Sequence, residues 1–277
     1  MSLCNDFEKP MMLKAVSYLS PNLFWYYQAI TEAISRNCNL TIELIEATTD
    51  PLNDELLQND HWDLMFICGL PLIRHNRTAV NPLQLLAAPV MLGDRYENQP
   101  IYFADIVVNA ASNFKRFEDL AETRFCYNDQ GSNSGYNLFR YRLLQQLEHR
   151  ETPYFSHVQQ SGSHQRSLQW IANGLADCAA IDSVVMEAEL RQSPELRQSF
   201  RIIESMRSPM PPIAVSLRLE PSLIAQLQST LFHPDPDLQV AMAMAQVKRY
   251  TKVTAQDYEP IAVTFDAAMA LGYEAIA

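Results

Sequence analysis

Residues Asn128 to Tyr136, NDQGSNSGY, hold the side chains with most chemical capacity in this chain. A β-forming run, TRFCY, leads into SNSG, which opens a helical pattern reaching about His149. Ser132, Asn133, Ser134 and Gly135 therefore stand where a helix presents unpaired backbone N–H groups. Such a corner holds an anion without a positive side chain. Ser and Asn are also the preferred residues of an ordinary helix cap, so the stretch has two readings on its own.

A second corner lies in SGSHQRSLQWIANGLADCAAIDS, residues 161–183. Ser161, Gly162 and Ser163 precede a helix whose Leu168, Ile171 and Leu175 share one face. His164 falls in its first turn, where the helix dipole favours a neutral imidazole. The alternative is a surface histidine. Asp182 ends the apolar strand CAAI and can cap the next helix, SVVMEAEL. It can equally accept a proton from a monoprotonated oxyanion or pair with an amine.

Catalytic and metal chemistry find less support. Ser, His and Asp are present, but no GxSxG elbow occurs. His61-Trp62-Asp63 and the scattered histidines lack metal-ligand spacing. The pair Glu118–Asp119 reads as a solvated surface feature. The five cysteines form no CxxC, and Cys68, Cys126 and Cys178 sit in strand-like runs as buried thiols. With seven glycines and no GxGxxG or GxxxxGK[ST], no Gly-rich nucleotide loop is present. Neither metal nor cofactor is expected.

The net charge of −11, with no Lys/Arg cluster, argues against nucleic acid or an anionic membrane surface as partner. A small anion held by neutral donors is compatible with it. No apolar run approaches the ~20 residues of a membrane span, so no membrane insertion is expected. The first residues, MSLCNDFEKPMMLK, show no signal-peptide pattern. The expected compartment is the cytoplasm if Met1 is the native start, and the periplasm if the chain is a mature form.

The elements that must position these corners alternate. Strands are expected at 12–18, 40–46, 63–70, 83–92, 101–109, TRFCYN, 154–160, 176–182, 200–206 and 212–217. Helices are expected at 24–36, 52–58, FEDLAE, after SNSG, in SHQRSLQWIANGL and in SVVMEAELRQ. The C-terminal part, SLIAQLQSTLF, LQVAMAMAQVKRY and YEPIAVTFDAAMALG, reads as helical throughout. This alternation predicts an α/β architecture with mainly parallel sheets. Anions in such folds bind at strand C-terminal ends. Three strand-to-helix corners qualify: SYLSPN (17–22), NDQGSNSG (128–135) and VQQSGSH (158–164).

Together these segments resemble the phosphate/phosphite/phosphonate substrate-binding proteins of ABC transporters, the PhnD-like family of type 2 periplasmic binding proteins. The resemblance runs from about Met12 to Tyr258. It is carried by DLMFICGLP, IYFADIVVNAASNFKRFEDLAETRFCY, SNSGY, the 161–183 segment and DYEP. It implies two α/β lobes, each a mixed, mainly parallel sheet flanked by helices, joined by two hinge crossings near 102–106 and 203–207. Lobe one would comprise 12–103 plus 206–277 and lobe two 104–205, with the ligand in the cleft between. The family's Ser-Thr-Ser-Gly turn corresponds to Ser132, Asn133, Ser134 and Gly135, with Asn133 where Thr is usual. The family's histidine, aspartate and strand-entry aromatic correspond to His164, Asp182 and Tyr102, and a loop tyrosine to Tyr18. Ala104 and Pro211-Pro212-Ile213 also depart from the family pattern. The implied function is non-enzymatic binding of a small oxyanion (phosphonate, phosphite or phosphate), with an ABC permease as partner. The alternatives are a cytosolic sensor on the same fold or an enzyme using His164 and Asp182.

Overall fold

A computed structural model of the chain describes residues 11–146 and 153–276. Its first third follows the expected alternation. Strand β1 (Met12–Ser17) is followed by helix α1 (Phe24–Cys38), β2 (Thr41–Glu46), the short α2 (Glu55–Gln58) and β3 (Leu64–Phe66). Next come α3 (Gly69–Thr78), β4 (Gln84–Met91) and the long β5 (Ile101–Asn109). The middle third contains β6 (Arg124–Tyr127), α4 (Leu138–Gln146), β7 (His157–Gln160), α5 (His164–Ala172), β8 (Cys178–Asp182) and α6 (Ser183–Gln192). The last part holds β9 (Phe200–Pro209), β10 (Ile213–Val215), α7 (Pro221–Phe232), α8 (Pro236–Met244), β11 (Val247–Thr251) and α9 (Glu259–Ala270). The end of the helix expected to reach His149 lies outside the described residues.

Two sheets organise these strands. The first has the order β11-β4-β10-β3-β1-β2 and the second β7-β6-β8-β5-β9. Each is covered on both faces. Apolar side chains of α1, α7 and α8 pack on one face of the first sheet, and Leu57, Trp62 and Leu72 on the other. In the second, Phe117, Phe125 and Phe139 form one core layer and Leu168, Ile171 and Met186 the opposite one. Both sheets are mixed. Parallel pairing joins β1 to β2 and β3, and β6 to β7 and β8. Strands β5, β9, β10 and β11 pair antiparallel. The sheets are thus less parallel than alternation alone implies, because β5, β9 and β10 flank the two crossings between sheets.

The crossings themselves are the connections 92–100 and 210–212. Residues 102–106 and 203–207, where the sequence places them, are already paired within the second sheet. Arg95 ties the first connection down: it bridges the buried Asp105 at 2.8 Å, and Asp105 also accepts from Ser205 Oγ at 2.6 Å. The C-terminal segment, which the sequence assigns to lobe one, ends against the second sheet. Ile276 joins that sheet's core, its N–H donates to Tyr136 Oη at 3.1 Å, and Arg140 donates to Glu274 O at 2.9 Å.

Two further elements differ from expectation. The apolar run 63–70 is strand only to Phe66; α3 begins at Gly69, with Pro71 tolerated in its first turn. A continuous apolar run has no period that separates strand from buried helix. The segment LQVAMAMAQVKRY, read as one helix, splits into α8 and β11 at Gln246, whose φ is +60°. A bulge between Val247 and Arg249 buries Val247 and Tyr250, three residues apart, which mimics a helical spacing.

Candidate functional site

Six strand ends meet at one cavity of about 310 Å³ between the two sheets. From the first sheet come Tyr18 after β1, Asp50 after β2 and Cys68 after β3. From the second come Ser132 and Ser134 after β6, His164 after β7 and Asp182 at the end of β8. This is the placement expected for ligands in α/β sheets, at strand C-terminal ends beside helix N-termini. All three corners singled out in the sequence reach the cavity. Hydrogen bonds join its two walls: Ser20 Oγ donates to Gln165 Oε1 at 2.8 Å, Asn22 Nδ2 to Val185 O at 3.2 Å, and Gly131 N to Asp50 Oδ2 at 3.2 Å.

The SNSG corner is a single turn of π-helix, Asn133–Asn137, leading into α4. Single π-turns of this kind are frequent at functional sites. Ser132 caps it, accepting from Gly135 N at 3.0 Å, which leaves the hydroxyl proton for an incoming acceptor. A Cβ at Gly135 would overlap Asn128 Oδ1 and stand 3.1 Å from His164 Cε1, so a larger residue forces the Asn128 side chain to shift. Ser134 Oγ and His164 Nε2 are 3.2 Å apart. Burial pushes the His164 pKa down to about 3, so the ring is neutral. When Nε2 carries the ring hydrogen it donates to Ser134 Oγ, and the Ser134 hydroxyl proton is left for a ligand oxygen. Nδ1 is buried with no hydrogen-bond partner among the described residues, and so is Asn128 Oδ1. The residues that carry them line the cavity, but both atoms are sealed from its open space.

The carboxylates complete the wall. Asp182 accepts from Val184 N at 2.8 Å and Val185 N at 3.3 Å, so it is both the cap of α6 and a cavity residue. Burial raises its pKa to about 7 against the pull of those two N–H groups. Asp129 is raised to about 7 as well, by burial and then by the charge of Asp50 across the cleft. Among the described residues no Lys or Arg lines the cavity. Among the described residues no cluster of His, Cys, Asp and Glu could hold a metal ion, and no helix is long and apolar enough to cross a membrane.

The eight residues nominated from sequence separate into two groups. Tyr18, Ser132, Ser134, His164 and Asp182 line the cavity, whereas Asn133, Gly135 and Tyr102 stand behind it. The Tyr18 hydroxyl is already committed, donating to Asp54 Oδ2 at 2.5 Å. Asn133 is fully buried. Its Nδ2 donates to Tyr102 Oη at 3.0 Å and Ser208 Oγ at 2.8 Å, and its Oδ1 accepts from Asn137 Nδ2 at 3.0 Å. Tyr102 and Ser208 face each other across β5 and β9, so Asn133 clamps the SNSG turn to both crossing strands. No hydrogen bond links His164 to Asp182 among the described residues.

Asp50, Asp129 and Cys68 were not singled out as site residues. Asp50 follows β2 in TTDP, a fourth strand-to-turn corner of the same kind as the three named. Asp129 lay within the quoted NDQGSNSGY stretch. Cys68 is not inside a strand: it precedes α3, lines the cavity, and its Sγ accepts from Asn133 N at 3.4 Å. Burial keeps it a thiol, with its pKa pushed up to about 12. Cys126 and Cys178 are buried in β6 and β8 as expected.

Several solved structures are similar to this chain. The binding-protein component of an ABC phosphonate transporter from Pseudomonas aeruginosa superposes with a TM-score of 0.80 at 16% identity, covering 96% of this chain and 89% of that one. PhnD1 from Prochlorococcus marinus, solved with methylphosphonate, gives 0.79 at 16% identity, covering 96% and 100%. A Xanthomonas citri protein bound to ATP gives 0.71 at 14% identity, covering 94% and 98%. At such identities the likeness establishes the fold, which is the two-lobed α/β fold of type 2 periplasmic binding proteins. A comparison with curated protein sequences gives no match. The profile of one protein family, described as "ABC transporter, phosphonate, periplasmic substrate-binding protein", matches residues 16–258. The chain therefore belongs to the family of phosphonate substrate-binding proteins of ABC transporters.

Proposed function

We propose that this chain binds a small tetrahedral oxyanion (phosphonate, phosphite or phosphate) in the cavity between its two sheets and delivers it to an ABC permease. The observation that carries the reading is the convergence of Ser132, Ser134 and His164 on one cavity, with the Ser132 hydroxyl proton uncommitted and Ser134 set against a neutral His164. Hydroxyl protons and a neutral imidazole stabilise a buried anion by charge-assisted hydrogen bonds, without a cation. The acidic wall favours a ligand with few charges. Asp182, with its pKa near 7, is suited to accept the proton of a monoprotonated oxyanion.

Binding without chemistry fits the same geometry. His164 is held neutral against Ser134, and Asp182 is bound to the N-terminus of α6, so neither is poised as a base for the other. Isothermal titration with methylphosphonate, phosphite and phosphate tests the reading. At least one should give saturable heat with a one-to-one stoichiometry. Absence of heat from all three sinks it.

A further inference from the structure

We infer that the ligand carries an apolar substituent, and that this group is housed in a chamber opening from the oxyanion corner into the core beside the first sheet. The inference rests on the oxyanion reading above and names the substrate class more narrowly. A cavity of about 310 Å³ lies at the lower end of the roughly 300–1,000 Å³ that hold drug-sized ligands. A tetrahedral oxyanion of five heavy atoms leaves much of it unfilled.

The chemistry of the walls is divided by origin. The serines, aspartates and histidine of the lining belong to the strand-end corners. The remainder of the lining includes Tyr26 and Ile30 of α1, Met91 of β4, Ala245, and Val247 and Tyr250 of β11. Each of these six is buried in the same core cluster of the first sheet. The two phenol groups in this set satisfy each other, Tyr26 Oη and Tyr250 Oη lying 2.8 Å apart. They therefore make no demand on a ligand. Burial raises the pKa of both, so both are neutral. An apolar void in a packed core forfeits dispersion contacts and does not hold water well. An alkyl or aryl group fills it with favourable burial; the one further phenol that α1 adds to the lining, Tyr27, has no hydrogen-bond partner among the described residues and feels the charge of Asp182.

The test is a titration series of methyl-, ethyl-, propyl-, butyl- and phenylphosphonate against the whole chain. Affinity should rise about four-fold per added methylene, the equivalent of ~0.8 kcal/mol per buried CH₂, and so about 60-fold from methyl to butyl. The binding heat capacity should become more negative along the series. In Ala245→Leu, which fills the chamber, the butyl-to-methyl affinity ratio should fall toward one. A flat or falling affinity in the unaltered protein overturns the apolar chamber, while methylphosphonate binding leaves the oxyanion reading standing. Failure of every phosphonate to bind overturns the chamber, and the oxyanion reading falls with it only if phosphite and phosphate also give no heat. An unchanged ratio in a folded Ala245→Leu overturns the location of the chamber, and if that variant does not fold the series in the unaltered protein decides.

Discussion

The Asn133 side chain is the clearest test of how the site is supported. It is fully buried and makes three side-chain hydrogen bonds: two donated to Tyr102 and Ser208, one accepted from Asn137. Asn133→Ala removes all three and strands buried partners on the two crossing strands. At a net ~1 kcal/mol per bond, the loss of stability is about 3 kcal/mol. Unfolding entropy of ~2.1 cal/mol/K per residue over 277 residues is roughly 0.6 kcal/mol/K, so Tm should fall by about 5 °C. Scanning calorimetry reads the shift directly. The amide does not line the cavity, so ligand affinity should fall by less than roughly 10-fold, below the loss for a hydroxyl that donates to a charged oxygen. A Tm change under about 1 °C would refute the clamp. Loss of binding at unchanged Tm would show instead that the amide reaches the ligand.

Ser134→Ala should weaken oxyanion binding roughly 10- to 150-fold, the equivalent of ~1.5–3 kcal/mol for a hydrogen bond to a charged group; titration calorimetry that finds less than a two-fold change removes Ser134 from the contact set. Gly135→Ala drives a Cβ into Asn128 Oδ1, and Asn128 is itself held by Asp129 at 2.6 Å. That variant should melt earlier and bind none of the oxyanions, and wild-type behaviour would show that the turn relaxes. Asp129, raised to about 7, keeps its proton in the folded state between its ordinary pKa and 7, where the unfolded chain has lost it. Stability from this group is therefore full at acid pH and is lost as pH rises to 7. Asp129→Asn should gain on the wild type in Tm between pH 5 and 8, and parallel pH profiles would contradict the shift.

Most of the fold was readable because its elements obey simple periods. Strand β5 spans the residues expected from IYFADIVVN, and α5 carries the apolar face set by Leu168 and Ile171. The failures have local causes. At 64–73 apolar residues are too dense to show a period. At 245–251 a left-handed Gln246 and a β-bulge erase the alternation that marks a strand. The C-terminal segment could not be placed by period at all, since its packing on Tyr136 and Arg140 depends on contacts more than 130 residues apart.

The site shows the same division one level down. Residue types at a strand end identify which turn can hold an anion, because the N–H groups and hydroxyls follow from the helix that begins there. They do not say which of several adjacent side chains turns inward. Within SNSG, Ser132 and Ser134 line the cavity and Asn133 points into the scaffold, a distinction set by the π-turn and by the Tyr102–Ser208 pair that receives the amide. The substitution of Thr by Asn relative to the family pattern then has a structural meaning. Thr has one hydroxyl, and it cannot both donate to two strands and accept from Asn137. The departure at Asn133 therefore concerns how the crossing strands are fastened to the anion corner. The proposed ligand is selected by the residues that line the cavity, Ser132, Ser134 and His164 among them, with Ile30 and Val247 in the same lining.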